Sequence, residues 1–521
     1  MSAPSPTPEE PELIDAPVKA ATPPRRRRWG RIVWLAFLAL WAVTAIYQTN
    51  KPLPPGTHVQ TEWQALPATD VTFIADITTA DAYGRAVMSQ AIFDQVLTIV
   101  RGAERFLVID YFLFNSHRGV AGGAPARALS SELRDAIIER KKQQPDLRVL
   151  FITDPINDVY GGDPSEDLAM LRAAGIDVVV TDLDELRDSN FIYSSFWRIA
   201  LSWWSGAGRG KGWLPNPLDE ESRDVTFGAW ARLANLKANH RKVVIGDDGH
   251  GGLTGIVTSA NPHDGSSAHS NVAARINGPA LAPLLASEME VARFSGWRGV
   301  IAVEQPRAGP PANDSTALVR GQIVRMQVLT EGAIRDAIVE RIDSAVRGES
   351  VDIAMFYISD RHVIDSLVAA AARGVSVRLI LDPNKDAFGR EKNGIPNRPV
   401  ASELLAASDG AIHVRWYRTH GEQFHTKLVM IYGADRVWMS LGSANLTRRN
   451  IGDYNLEANV AIETARASAL GTQVLTYFDT LWANHAGLGI EYTADFGVYA
   501  DPTQANYWLY RIMESTGLST F

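Results

Sequence analysis

The chain has 521 residues, 46% apolar and 21% charged, with a formal net charge of -8. That length exceeds one ordinary hydrophobic core and leads us to expect two lobes. The first fifty residues carry six basic and four acidic side chains, a net of +2 that leaves -10 for the remainder and argues against a nucleic-acid binder built on a basic face; the absence of cysteine excludes disulfides, thiolate metal sites and cysteine nucleophiles.

Residues 1–28 are rich in Pro, Ala and acidic side chains and read as a disordered cytoplasmic tail. The arginine cluster at Arg25–Arg31 leads into a sixteen-residue uncharged run, Ile32–Tyr47, apolar but for Thr44. Such a run forms a helix about 24 Å long, with Trp29 and Tyr47 able to sit at the interfaces and Arg31 able to snorkel. A cleaved signal peptide is the alternative, but about thirty residues precede the apolar run, which is long for a signal n-region. Residues 29–48 are therefore expected to be an uncleaved transmembrane signal anchor. The arginines keep the N-terminus cytoplasmic, so the body lies on the periplasmic or extracytoplasmic side of a cell inner membrane.

The next pattern is a repeat. Ile99–Phe114 (IVRGAERFLVIDYFLF) matches Ala345–Ile358 (AVRGESVDIAMFYI), each an apolar strand after a helix expected to end in Val-Arg-Gly. Leu147–Asp158 (LRVLFITDPIND) matches Val375–Asp386 (VSVRLILDPNKD), and a helical pattern separates the members of each pair. Strand, helix, strand implies a βαβ unit in a parallel or mixed sheet. We place a first lobe at 65–303, a Pro/Gly-rich linker at 304–321 and a second lobe at 322–521.

From Asp154 to His240 is 86 residues, and from Asp382 to His425 only 43, so the first lobe carries an insertion near 190–230. Within it Ser195, Arg198, Ser202 and Ser205 form one stripe, and aromatic and aliphatic residues cover the rest. Three readings stay open: a helix packed on the lobe, an element dipping into a lipid interface, and a roof over the active site.

The repeat extends to a chemical motif. Asn239–Asp264 contains His240 and Lys242, then an apolar run, then Ser259-Ala260-Asn261; Phe424–Thr447 contains His425 and Lys427, then Ser443-Ala444-Asn445. On a strand, His and Lys two apart share a face. A hairpin would return each Asn beside its pair. A single His-x-Lys is commonplace; two, at equivalent places and each followed by Ser-Ala-Asn, mark a shared site.

These motifs resemble the paired HKD motifs of the phospholipase D superfamily, His-x-Lys-(four residues)-Asp followed by Gly-Ser-x-Asn. The first copy keeps Asp247 but has Thr258 at the glycine position. The second keeps Gly442 but has Tyr432 at the aspartate position, with Asp435 three residues late. The resemblance implies an α/β fold of duplicated phospholipase D-like lobes, each a mixed sheet flanked by helices, which here follow the expected N-terminal transmembrane helix. It also implies two-step, metal-independent transfer without a cofactor.

The residue types suit that chemistry. His240, Lys242, Asn261, His425, Lys427 and Asn445 are the candidate catalytic residues. Lysines and asparagines can hold the non-bridging oxygens of a phosphodiester. One neutral imidazole can attack phosphorus, and the other can protonate the leaving oxygen. Asp247, Asn271, Ser443 and Glu457 are candidates for a supporting layer. Glu457 follows His425 by 32 residues and Asn271 follows His240 by 31, so each is expected to orient the histidine of its own copy, with His425 the favoured nucleophile. His250, His263 and His269 match no common zinc spacing, and the segments Gly249–Gly252 and Asn261–Asp264 read as turns. Arg448 and Arg449 stand either at a lipid headgroup or on the solvated surface, and Thr503–Gly517 reads as a packed amphipathic helix.

The expected function is phospholipid hydrolysis, or phosphatidyl transfer to an alcohol as in cardiolipin synthesis, with a phospholipid substrate and the membrane as partner. The alternative is a nuclease-like phosphodiesterase on nucleic acid or another diester, which the acidic body disfavours. A non-enzymatic scaffold is disfavoured because both His-Lys-Asn sets are intact.

Overall fold

The computed structural model describes residue 3 and residues 25–81, 83–117, 127–203, 212–218, 222–302, 315–387, 390–484 and 489–521. Most of the expected tail and residues 304–314 of the expected linker lie outside this set, as do Trp204 and Ser205 of the insertion. Helix begins at Arg25, so the last four residues of the stretch read as disordered are helical.

Both expected βαβ units form. In the first, strand Phe106–Tyr111 pairs in parallel with Arg148–Thr153 across helix Leu129–Gln143. In the second, Ser350–Met355 pairs in parallel with Ser376–Leu381 across helix Arg361–Ala372. These strands are buried on both faces, which is why they read as continuous apolar runs. The preceding helices differ in detail. Ile92–Gly102 includes its Val-Arg-Gly, whereas Gly332–Ser344 ends before the second copy's Val346-Arg347-Gly348.

Two mixed sheets result. The eight-stranded sheet runs Ala86–Ser89, Val71–Ala80, Asn271–Asn277, Leu253–Thr258, Lys242–Asp247, Phe106–Tyr111, Arg148–Thr153 and Asp177–Val180. The nine-stranded sheet runs Gln64–Pro67, Ile323–Thr330, Ala458–Ala465, Arg436–Gly442, Lys427–Tyr432, Ser350–Met355, Ser376–Leu381, Ile412–Tyr417 and Thr493–Asp495. Its edge strand Gln64–Pro67, assigned from sequence to the first lobe, pairs with Ile323–Thr330 of the second.

The sheets share one core. Val257 and Ala274 of the first and Leu428, Leu441 and Val460 of the second belong to the same buried cluster. Two short parallel bridges tie the lobes directly, Asn239 with Leu456 and Ser270 with Phe424. Each bridge lies next to a motif histidine.

The N-terminal helix Arg25–Asn50 stands apart from these cores. Its segment Trp29–Asn50 is long and apolar enough to cross a membrane. Trp34, Leu35, Val43 and Ile46 are each at least 60% exposed, which a helix of a protein core would not tolerate.

Candidate active site

The backbone that presents each histidine is held by a buried carboxylate of the Asp-Pro repeat. Asp154 accepts from Asn239 N–H at 2.7 Å and from Ile156 N–H at 2.8 Å. Asp382 does the equivalent for Phe424 N–H at 2.7 Å, and also accepts from Asn384 N–H. Burial raises the two carboxyls to about 7 and about 6. The repeat was visible in the sequence, but this role was not, because the contact spans 85 residues in one lobe and 42 in the other.

The histidines then cross the lobe boundary. His240 Nδ1 donates to Glu457 Oε1 at 2.8 Å, and His425 Nδ1 donates to the Asn271 side-chain oxygen at 3.1 Å. This corrects the expected pairing within each copy: Glu457 serves the first-lobe histidine and Asn271 the second. The cause is topological. Backbone bonds from His240 N–H to Leu456 O at 2.9 Å and from Ser270 N–H to Gln423 O at 3.1 Å stitch each motif to the segment following the other motif.

Glu457 is fully buried and accepts from the Asn450 amide and the Ser443 hydroxyl as well. Burial pushes its carboxyl upward, but the attraction and hydrogen bond of His240 prevail and hold it below the ordinary value. His240 is lowered to about 4, by burial first, with Glu457 only partly opposing. Burial and the neighbouring Lys427 push His425 well down. Both imidazoles are therefore neutral near pH 7. Each donates through Nδ1, which leaves Nε2 with its lone pair.

The rest of the motif repeats closely. Lys242 and Lys427 lie beneath the histidines, almost wholly buried, and donate to the carbonyls of His240 (2.7 Å) and His425 (3.0 Å). Burial lowers Lys242 to about 7 and drives Lys427 well down. Phe112 packs edge-on to His240 at 4.8 Å, with Lys242 Nζ 5.3 Å from its ring centre; Phe356 repeats this with His425 at 5.0 Å and Lys427 at 5.2 Å. Sequence reading missed both phenylalanines, although each sits in the repeated strand end.

The turns after the hairpins follow two solutions. Gly442 comes so close to the next strand that a Cβ there would lie 2.2 Å from Ala458 O. At the matching place the Thr258 hydroxyl donates to Val272 O and accepts from Ala260 N–H, both at 3.0 Å. A side-chain hydrogen bond thus holds the turn where the second copy needs an absent side chain. Ser259 reaches Asn271, and Ser443 reaches Glu457, so each serine braces the group that orients the opposite histidine.

Asp247 lies outside the reacting group. Its buried carboxylate accepts from the N–H groups of Glu104, Arg105, Phe106 and Gly249, which hold it below the ordinary value against burial. In the second lobe the Tyr432 hydroxyl donates to Asp352 at 2.9 Å, and Asp352 binds Arg378. Asp435 uses its backbone oxygen to accept from Arg466 N–H at 2.8 Å, in the turn between Lys427–Tyr432 and Arg436–Gly442.

His240, His425, Asn261 and Asn445 line one cavity of about 480 Å³. Asn261 accepts from Leu113 N–H through its carbonyl, leaving its NH₂ as a donor, and the Asn445 carbonyl is buried without a partner. Part of the wall is apolar, from Ile156, Leu218, Leu233 and Leu236; another part is polar, from Asn115, His263, His269 and Lys392. His263, in the turn read from the sequence, and His269 are both buried in the cavity wall. Arg449 also lines the cavity and is buried, whereas Arg448 packs its guanidinium on Tyr454 at 4.4 Å.

Twin mixed sheets carrying a duplicated His-Lys-Asn set around one cavity define a two-lobed phospholipase D-like protein. Residues 338–482 match the family described as cardiolipin synthase, PLD-like domain. That match places a phospholipase D-like domain in the second lobe. Among solved structures, phosphatidylserine synthase from Haemophilus influenzae Rd KW20 is similar in fold, with a TM-score of 0.52 at 12% identity, over 88% of this chain and 96% of that one. Nuc, a phospholipase D family member from Salmonella typhimurium, covers 33% of this chain and 97% of its own at 19% identity, and its TM-score of 0.25 carries no argument. No curated protein matches the chain.

Proposed function

We propose that the protein is a membrane-anchored phosphodiesterase or phosphatidyltransferase that acts on phospholipids through a covalent phosphohistidine. The observation that carries this reading is the crossed pair His240–Glu457 and His425–Asn271 beside a cavity lined by both motif asparagines.

His240 is the proposed nucleophile, because Glu457 stabilises the cationic imidazole that phosphorylation creates. Its Nε2 bonds to phosphorus as the ester oxygen departs, and His425 gives that oxygen a proton. Water or an alcohol then returns a proton to His425 as it attacks phosphorus and frees His240. The incoming phosphodiester carries a negative charge, which raises the proton affinity of His425 and charges it for the first step. Lys242, Lys427, Asn261 and Asn445 supply donors for the non-bridging oxygens. The apolar part of the cavity wall suits a diacyl substrate better than a nucleic acid. The N-terminal helix supports an inner-membrane location with the body on the extracytoplasmic side.

The test is the full chain in proteoliposomes of phosphatidylglycerol, phosphatidylethanolamine and cardiolipin, with and without glycerol, its products read by mass spectrometry. Phosphatidic acid formation lost in both His240→Ala and His425→Ala identifies a hydrolase. Cardiolipin gain or a glycerol adduct with the same dependence identifies a transferase. No lipid product from folded protein, with cleavage of a nucleic acid or a soluble diester instead, overturns the lipid reading.

A further inference from the structure

Segment Phe191–Leu201 is built inside out for a soluble surface. Ser195 of its polar stripe is buried, as is the adjacent Ser194, and Arg198 turns inward to Asp188 at 2.8 Å. Ile192, Phe196 and Trp203 face outward, Trp203 at 76% exposure. The segment also climbs along the N-terminal helix in the opposite direction. Asp188 N–H donates to Gln48 O at 3.0 Å, and four residues later Ile192 O accepts from the Trp41 indole at 3.1 Å. Trp41 lies six residues before Tyr47, about 9 Å along a helix axis. That matches the depth at which interfacial helices sit.

The C-terminal helix Gln504–Thr516 meets the same place. It ends at Gly517 in the left-handed conformation (φ +72°), where a Cβ would stand 2.1 Å from Ser189 O. Arg448 N–H donates to Glu514 of this helix at 2.7 Å, and the Arg448 guanidinium reaches Ser189 O at 3.5 Å. Asp188 and Ser189 are therefore the junction of the N-terminal helix, the insertion and the C-terminal helix. The C-terminal helix buries Tyr510 and Glu514 and turns Trp508, Leu509 and Ile512 outward at helical spacing, followed by Leu518.

We infer that Trp508, Leu509 and Ile512, together with Ile192, Phe196 and Trp203, form a bilayer-seating face around the point where the N-terminal helix leaves the body. The inference rests on the proposed reading only in that this helix occupies a bilayer; it does not depend on the reaction. The occupant is the lipid interface, because an apolar helix anchored at Asp188 carries its surroundings to the membrane surface. Removing outward Trp and Ile side chains from water is favourable there, and Trp prefers that depth. The insertion also supplies Pro217 and Leu218 to the cavity wall, so it contributes to both the seat and the cavity.

The native chain has no cysteine, so single substitutions Ile512→Cys, Phe196→Cys and Lys142→Cys each give one labelling site on the full protein. An environment-sensitive fluorophore at each, in phosphatidylglycerol/phosphatidylethanolamine proteoliposomes, is read with nitroxide-bearing lipids and with aqueous iodide. We expect lipid quenching and a blue shift at positions 512 and 196, and iodide quenching alone at 142. Iodide quenching at 512 overturns the seat, and so does shielding at 512 without lipid quenching, which identifies a protein partner or a second copy. Trp508→Ser/Ile512→Ser is expected to slow turnover of bilayer lipid several-fold while leaving a water-soluble short-chain diester unaffected; equal effects on both overturn the seat. Labels that report lipid in a protein with no activity on any lipid sink the enzymatic reading and uphold the seat.

Discussion

The two copies of the motif are alike in the parts that stand at the cavity and unlike in the parts that support them. Both present a histidine from backbone held by a buried aspartate, a lysine beneath it, a phenylalanine beside it and an asparagine on the cavity. Behind them, His240 faces a carboxylate and His425 an amide. Asp247 gathers four backbone N–H groups, whereas Tyr432 donates to a buried Asp352–Arg378 pair. Arg241, beside His240, is buried with Glu288 and Glu331; its counterpart Thr426 meets the Tyr477 hydroxyl. Symmetry is kept at the cavity and lost behind the imidazoles, where the proposed reaction assigns the two histidines different work.

The most severe way to break the comparison is at the histidines. His240→Ala should abolish turnover and leave no phosphorylated protein, a loss on the order of 10⁴-fold. His425→Ala should be comparably slow with lipid but should still accumulate phosphate on His240 from a substrate with a good leaving group. Peptide mapping by mass spectrometry reads the site, and phosphate on His425 would reverse the assigned roles.

A smaller effect separates the orienting groups. Glu457→Gln removes the charge opposite a cationic His240, and kcat should fall by about 10 to 100-fold, as for a lost charged hydrogen bond. Asn271→Ala removes a neutral one and should cost about tenfold or less. Steady-state kinetics on the two variants decides the order; equal losses would mean that the carboxylate gives no special help to His240.

The stabilities should also part. Asp247→Ala leaves several buried N–H groups without an acceptor and should lower unfolding free energy by about 3 kcal/mol, against about 1 kcal/mol for Tyr432→Phe. Denaturant melts of both variants measure this, and a larger loss at Tyr432 would overturn the assignment of Asp247 as the structural carboxylate.

The gentlest probe is pH. Asp154 and Asp382 rise by burial from 3.8 to about 7 and about 6. The stability each contributes is full below its ordinary value and is lost as pH rises through the raised one. Asp154→Asn should flatten the stability profile up to about pH 7, and Asp382→Asn only up to about pH 6. His240, lowered from 6.5 to about 4 by burial, acts in the opposite sense, contributing fully above 6.5 and losing stability as pH falls toward 4. Thermal melts between pH 4 and 8 resolve the windows, and identical profiles for the two Asn variants would remove the distinction between the lobes.

Much of the site could be read from the chain because its parts are local. His240 and Lys242 lie two residues apart, and a hairpin pairing Val243 with Val257 brings Asn261 back, as the spacing required. The βαβ repeat was legible for the same reason, since each unit is short and apolar. The direction of the Trp-rich stripe was not legible. Periodicity grouped Ser195 with Arg198, but only Asp188, lodged against the N-terminal helix, turned that polar side inward. The second lobe's claim on Gln64–Pro67 was hidden too, because that strand finds its partner more than 250 residues away.

The amino-acid sequence alone determined the duplicated α/β plan, the six His, Lys and Asn candidates and the apolar N-terminal helix, all of which depend on neighbours a few residues apart. Tertiary structure decided which histidine meets the carboxylate, that Arg449 and His269 face the cavity, and that Trp508 and Phe196 face outward. Those outcomes depend on how two lobes dock through the bridges Asn239–Leu456 and Ser270–Phe424. Local periodicity carries no information about which segment a motif will meet across that boundary.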